Sequence, residues 1–302
     1  MRRATALLAA FALVAGIACG GGGGDDDLDV GGEDETPTTA QGEDLAALND
    51  EGADVFGDYI TALLGGNYQV AMENATGAAS AVAGYFNGIA QIKSVPAEFK
   101  PPNRQVKLSF NGDRATRNSD GTITLSDRVE ADITGGGADE KTTYTDIKLR
   151  EEKGKLQVVD FVRGDYGPVS EDVYRTDSSK GEGNGIEVTM GPGFGTRGTL
   201  ARTEGRVQLF TTFVFAFTNK TQYQVNIKET TDQRLYNAAS LSTADELYPS
   251  DSSYGTTAAP GARGFGFLYF KASVEGDSGI LTLRFVDEDD DEHEVKVPLN
   301  DL

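Results

Sequence analysis

The chain of 302 residues has one cysteine, one histidine and no tryptophan, and its 27 lysines and arginines face 48 aspartates and glutamates. The single thiol, Cys19, excludes an internal disulfide and a zinc site with cysteine spacing. With His293 as the only imidazole, there is no Ser–His or Cys–His pairing pattern of the kind used for acyl transfer. The shortage of bases excludes a nucleic-acid partner, which needs Lys and Arg to displace phosphate counterions. It equally excludes a polybasic contact with anionic lipid. P-loop and dinucleotide fingerprints are missing. "GPGFGTRG" at Gly191–Gly198 has close glycines but precedes no helical pattern, so it reads as a loop rather than a phosphate cradle. Long apolar runs are also scarce. The longest, Leu7 to Ala18, would span about 18 Å as a helix, against about 30 Å of bilayer core.

What is present begins with that run. "MRRATALLAAFALVAGIAC" places Arg2 and Arg3 ahead of it and Cys19 directly after it, the layout of a secretory signal. "GIAC" resembles a bacterial lipobox. Ile17 and Ala18 match the pattern, while Gly16 stands where Leu is usual. The resemblance implies a signal peptide over residues 1–18, lipid attached at Cys19, and the cell membrane's extracytoplasmic face as location. Several acyl chains hold a protein far more firmly than one. Residues 20–44 then carry nine carboxylates and no base, so 19–43 reads as a disordered Gly/Asp/Glu-rich tether. As a flexible coil of about 25 residues it would reach roughly 25–30 Å, extended further by self-repulsion.

Two folded halves are expected beyond it. Leu45, Leu48, Val55, Phe56, Tyr59, Ile60, Leu63 and Leu64 have helical spacing, with Asp44 as N-cap and Gly65–Asn67 as the stop. Further helices are expected near Tyr68–Asn74 and Ala78–Ile92. From Arg104 the period becomes two, with strands parted by "NGD", "NSDG", "GGG" and "EEKGK". In the last of these strands the alternation puts Tyr144 with Asp146, Lys148 and Arg150, on the face opposite Ile147 and Leu149. Residues 44–175 thus form an α+β unit of helices on a curved antiparallel sheet. "TDSSKGEGNG" reads as a linker over 176–184. Residues 185–302 read as strands only, an all-β sandwich, with "QLFTTFVFAFTN" apolar on both faces. The change of texture predicts that the two halves fold independently.

"FGDYITALLGGNYQVAME" and "YTDIKLREEKGKLQVVDF" resemble the opening and closing of the nuclear transport factor 2-like fold over Asp44–Asp165. That fold is a cone, used by enzymes and by scaffolds alike; penicillin-binding proteins carry one in a structural role. Its isomerase and dehydratase members use buried acids with His or Tyr. The resemblance therefore makes Tyr144, Asp132 and Asp160 candidates to face a cavity. The early "VTM" strand, "FVFAFTNKT", "PGARGFGFLYF" and the closing "LTLRF…EVKVPL" resemble an immunoglobulin-like domain of bacterial lipoproteins, the telomeric repeat-binding factor 2-like lipoprotein family. The telomeric label carries no weight for so acidic a chain, and no catalytic residue transfers with it.

The expected function is a non-catalytic, lipid-anchored envelope protein that binds or scaffolds a protein, glycan or small ligand. The alternative is a small-molecule carrier or enzyme using the cone. No cofactor is implied apart from a weak calcium site in "DEDDDE", where Asp287, Asp289 and Asp291 alternate as loop ligands do, without the glycine of a true calcium loop.

Overall fold

The structure, a computed structural model, describes residues 40–302 apart from 97–102, 113, 127, 136–138, 165–166, 178, 196–201, 204–205, 208–209, 229–238, 275 and 301. The signal segment, Cys19 and the stretch up to residue 39 lie outside the described residues. Antiparallel sheet dominates, and among the described residues the α-helices all precede the first strand.

Helix α1 spans Ala40–Leu64, α2 Tyr68–Glu73 and α3 Gly77–Gln91. Since α1 begins at Ala40, Asp44 lies inside its first turns and is not its N-cap. The expected stop is observed: Gly66 takes a φ of 80°, and the amides of Gly65 and Asn67 bond back to Thr61 and Ala62 carbonyls at 2.9 and 2.8 Å. A left-handed residue there satisfies carbonyls the helix leaves unpaired.

The first sheet comprises β1 (Gln105–Asn111), β2 (Ala115–Arg117), β3 (Thr122–Leu125), β4 (Arg128–Thr134), β5 (Glu140–Glu152) and β6 (Lys155–Arg163). β1 and β2 run end to end, as do β4 and β3 beside them, so the sheet is a four-row meander with β5 third and β6 last. The strands on either side of "NGD" therefore lie in one row and do not form a hairpin with each other. The hairpin turn is "NSDG", where Gly121 has a φ of 77° and Asp120 Oδ1 accepts from the Thr122 amide at 3.0 Å. A bulge corrects the alternation in β5. Register with β6 slips between Thr145 and Lys148, and Asp146 takes a φ of 48°. One extra residue reverses the phase, so Tyr144 joins Ile147 and Leu149 in the core. The helices cover this face. Gly52 of α1 allows the approach, because a Cβ there would lie 2.6 Å from Leu149 Cδ1.

The second half contains β7 (Val173–Tyr174), β8 (Lys180–Gly183), β9 (Ile186–Gly195), β10 (Arg202–Thr203), β11 (Arg206–Val207), β12 (Thr211–Asn219), β13 (Val225–Ile227), β14 (Ala239–Thr243), β15 (Leu247–Pro249), β16 (Ser252–Gly255), β17 (Arg263–Phe270), β18 (Ser278–Asp287) and β19 (Glu292–Asn300). One sheet is ordered β16-β17-β12-β9-β7 with β8 also on β9. The other is ordered β13-β18-β14-β15 with β19 on β18. They pack face to face over Phe213, Phe215, Phe217, Phe270, Phe285 and their aliphatic neighbours.

The linker reading of 176–184 is corrected. Thr176 is fully buried and donates to the Gly191 carbonyl at 2.5 Å. Lys180–Gly183 pairs with Ile186–Thr189 as a hairpin closed by Asn184 and Gly185, both at positive φ. That is the Asn-Gly turn whose twist suits two-residue hairpins. The second half's sheet also starts earlier than residue 185, at Val173, because β7 pairs with β9. The first five residues of "GPGFGTRG", Gly191–Gly195, belong to β9 and are not loop.

The halves share a core. α3 is apolar nearly all round and buries Ala79, Val82, Ala83, Tyr85, Phe86 and Ile89. Such a helix has to be covered on both sides. The first sheet covers one side; β9, β12 and β17 cover the other. Phe210, Val214, Phe267 and Tyr269 of the second half belong to the same core as Phe56 and Tyr59. Tyr85 Oη is hydrogen-bonded to Thr212 Oγ1 across this boundary. The expected double-sided burial of the long Phe-rich strand thus has a source: one face meets the other sheet, the opposite face meets α3.

Candidate functional site

The space between helices and first sheet is where a cone-shaped cavity was expected. Four rings occupy it. Phe56 and Tyr59 stand on one face of α1, Tyr144 comes from β5 and Phe161 from β6. The Phe56–Tyr144, Phe56–Phe161, Tyr59–Phe161 and Tyr144–Phe161 centroids lie 5.5, 5.6, 5.8 and 5.7 Å apart, near edge-to-face. That geometry suits the ring quadrupoles. Tyr59 Oη donates to the Ala79 carbonyl at 2.9 Å, tying α1 to α3.

Burial pushes the Tyr59 phenol well above its ordinary value, with Tyr144 and then Asp160 adding to the rise. Burial also raises Tyr144, and Glu140 adds to this while Arg163 and Arg104 oppose it. Both remain neutral phenols at ordinary pH, suited to donating hydrogen bonds and not to accepting protons as phenolates. Asp160 is buried beside them with its acceptors filled: Oδ1 takes the amides of Phe161 and Ser170 at 2.9 and 3.0 Å, and Oδ2 takes Ser170 Oγ at 2.6 Å. Of the three sequence candidates, Tyr144 and Asp160 are therefore brought together around Tyr59. Asp132 is not. It is exposed on the opposite face, 3.0 Å from Lys141 Nζ.

Beside Tyr144 lies a cluster the sequence reading missed. Glu140 Oε2 is 2.7 Å from Arg104 Nη1 and its Oε1 is 2.6 Å from Arg163 Nη2. Arg104 is 4 % exposed in its side chain, and its amide bonds to the Leu64 carbonyl at the end of α1. Burial alone would raise the Glu140 carboxyl; Arg163 and Arg104 outweigh it and hold the group below its ordinary value. The cluster joins the end of α1 to the starts and ends of three strand rows. Counting back from the "EEKGK" turn places Arg163 opposite Tyr144, so that neighbour was readable. Nothing in the residue pattern points to Arg104.

The calcium expectation meets a different arrangement. Asp287 is buried at the end of β18, where its Oδ1 accepts the amides of Asp289 and Asp291, both at 3.0 Å. Its Oδ2 accepts from His293 Nε2 at 2.9 Å. The carboxylate closes the turn from inside, while Asp289 and Asp291 are exposed. Among the described residues no group of three or more His, Cys, Asp or Glu side chains is arranged to hold a metal ion. The His293 bond is the largest influence lowering the Asp287 carboxyl; partial burial opposes it and the two amides reinforce it.

Among the described residues no helix is long and apolar enough to cross a membrane. Cys19 lies outside the described residues. Compared with known proteins, the chain matches no family model, no curated protein and no solved structure.

Proposed function

We propose that this chain is a lipid-anchored protein of the extracytoplasmic face of a bacterial cell envelope, which binds or scaffolds a partner through its surface without catalysis. The observation that carries the reading is the N-terminal arrangement: two arginines, an apolar run too short to span a bilayer, "GIAC", and then an acidic stretch without bases. The fold reading adds a nuclear transport factor 2-like first half and an immunoglobulin-like second half. Three helices on an antiparallel meander, followed by two sheets packed face to face, support both. The four rings between helices and sheet support binding at outer faces over binding inside a cone.

The buried proximity of Tyr59, Tyr144 and Asp160 is the observation that favours the alternative, a small-molecule carrier or enzyme. Cys19→Ser tests the principal reading. The serine variant is expected to leave the membrane fraction. A variant that stays membrane-bound and is still cut before residue 19 contradicts it.

A further inference from the structure

The first row of the meander has an outer edge. β1 pairs with β4 on one side, and among the described residues no strand pairs with it on the other. Seven residues of unpaired ladder form a template for another strand. Val106, Leu108 and Phe110 point toward α1, where Leu108 and Phe110 approach Gly57, yet all three are only half-buried. Gln105, Lys107, Ser109 and Asn111 are exposed on the opposite face.

Two properties of this edge make it complementary to itself. An antiparallel pairing centred on Leu108 sets Val106 opposite Phe110, Lys107 opposite Ser109 and Gln105 opposite Asn111 of a second copy, twice over. The half-buried apolar residues then form one continuous stripe, and no charge opposes its like. The neighbouring row extends the match. Within one chain Lys107 stands opposite Asp132, which pairs with Lys141, and Ser109 stands opposite Glu130. Crossing the two-fold therefore alternates in sign, from Lys141 to Asp132 to Lys107 and then, past the small Ser109, to Glu130 of the second copy. A lysine side chain is long enough to lean over a serine toward the next strand. A foreign acidic peptide would lack this internal register; a second copy supplies all of it.

We propose that β1 is a self-association edge at which a second copy of this chain adds antiparallel, with Leu108 opposite Leu108 of that copy. The contact is isologous, so it closes as a dimer and does not propagate into a filament. Directly opposed residues in an antiparallel pair lie about 4.5–5.5 Å apart at Cα, within disulfide reach.

Cys19→Ser in the full chain removes the only native thiol, and Lys107→Cys and Ser109→Cys are then made separately on that background. On mild oxidation, the mixture of the two variants forms disulfide-linked dimers and either variant alone forms far fewer. Absence of linked dimers in the mixture overturns the proposal. Equal linking in each single variant overturns the register. Sedimentation equilibrium supplies a second readout without any thiol. Ser109→Glu opposes Lys107 with an acid and tightens the dimer, whereas Ser109→Lys opposes it with a like charge and weakens it, each by about 2- to 30-fold over the two symmetric pairs. Ser109 also faces Glu130 within its own chain, where Ser109→Glu adds a like charge and Ser109→Lys an opposite one, so the thermal melt of each variant is recorded beside its association to separate the two effects. A chain that is monomeric at 100 micromolar (about 3 mg per ml), or an order unmoved by either change, contradicts the assignment.

Discussion

Asp287 closes a turn that five other acids, from Glu288 to Glu292, would push open. Two amides and His293 solvate its carboxylate in the ionised form, which places the group below its ordinary value. A depressed carboxyl stabilises the fold at pH values above its unfolded value, about 3.9, and loses that contribution as pH falls through the folded value. Asp287→Asn removes this dependence. Thermal melts from pH 6 down to pH 3 are expected to show the native chain losing more melting temperature toward acid than the variant does. Parallel curves would mean that the turn does not depend on the charge. The residue scale is also where the sequence was least legible. The alternating acids were visible, but that one of them faces inward was not, because an Asx-type acceptor and a metal ligand have the same spelling. Tyr144 was assigned to the wrong face for an equally local reason: period two holds only until an extra residue enters, and Asp146 carries no mark that it would.

Elements were more legible than residues. α2 and α3 lie within a residue of their expected bounds, since glycine stops and apolar spacing act through the backbone directly. The hairpin Lys180–Ile186 was hidden by its composition: a polar, glycine-rich stretch reads as linker, although its Asn-Gly pair is a hairpin signal. Glycine there serves packing. Across the central sheet, Gly266 faces Phe215 and Gly264 faces Phe217, and a Cβ at either would penetrate the facing ring. Phenylalanine rings thus lie over glycines on the neighbouring strand, which accounts for the "GFGF" pattern. Alanine in place of an ordinary strand glycine gains about 0.5–1 kcal/mol from the backbone. Here overpacking costs about 1–3 kcal/mol. Gly266→Ala is therefore expected to destabilise the fold and lower the melting temperature by a few degrees. A rise would show that Phe215 has room to move.

At the scale of the whole molecule, the texture change near residue 180 suggested two independent halves. The shared core gives the opposite expectation, because α3 is buried between them and five side chains of the second half, Val173, Phe210, Val214, Phe267 and Tyr269, complete the core of the first. Calorimetry of the intact folded part should show one transition. Residues 40–175 expressed alone should leave the outward face of α3 uncovered and bind a hydrophobic dye; two separate transitions in the intact chain would restore the independent-halves picture. Sequence could not show this, since an all-round apolar helix looks the same whichever layer covers it.

A compact body of this kind, acidic outside and filled with rings within, is what the proposed lipid anchor would carry. The anchor is tested most directly by mass spectrometry of the N-terminal peptide from the membrane fraction. The account predicts that the mature chain starts at Cys19 with a diacylglyceryl group on sulfur. A mature terminus elsewhere, or an unmodified Cys19, contradicts it.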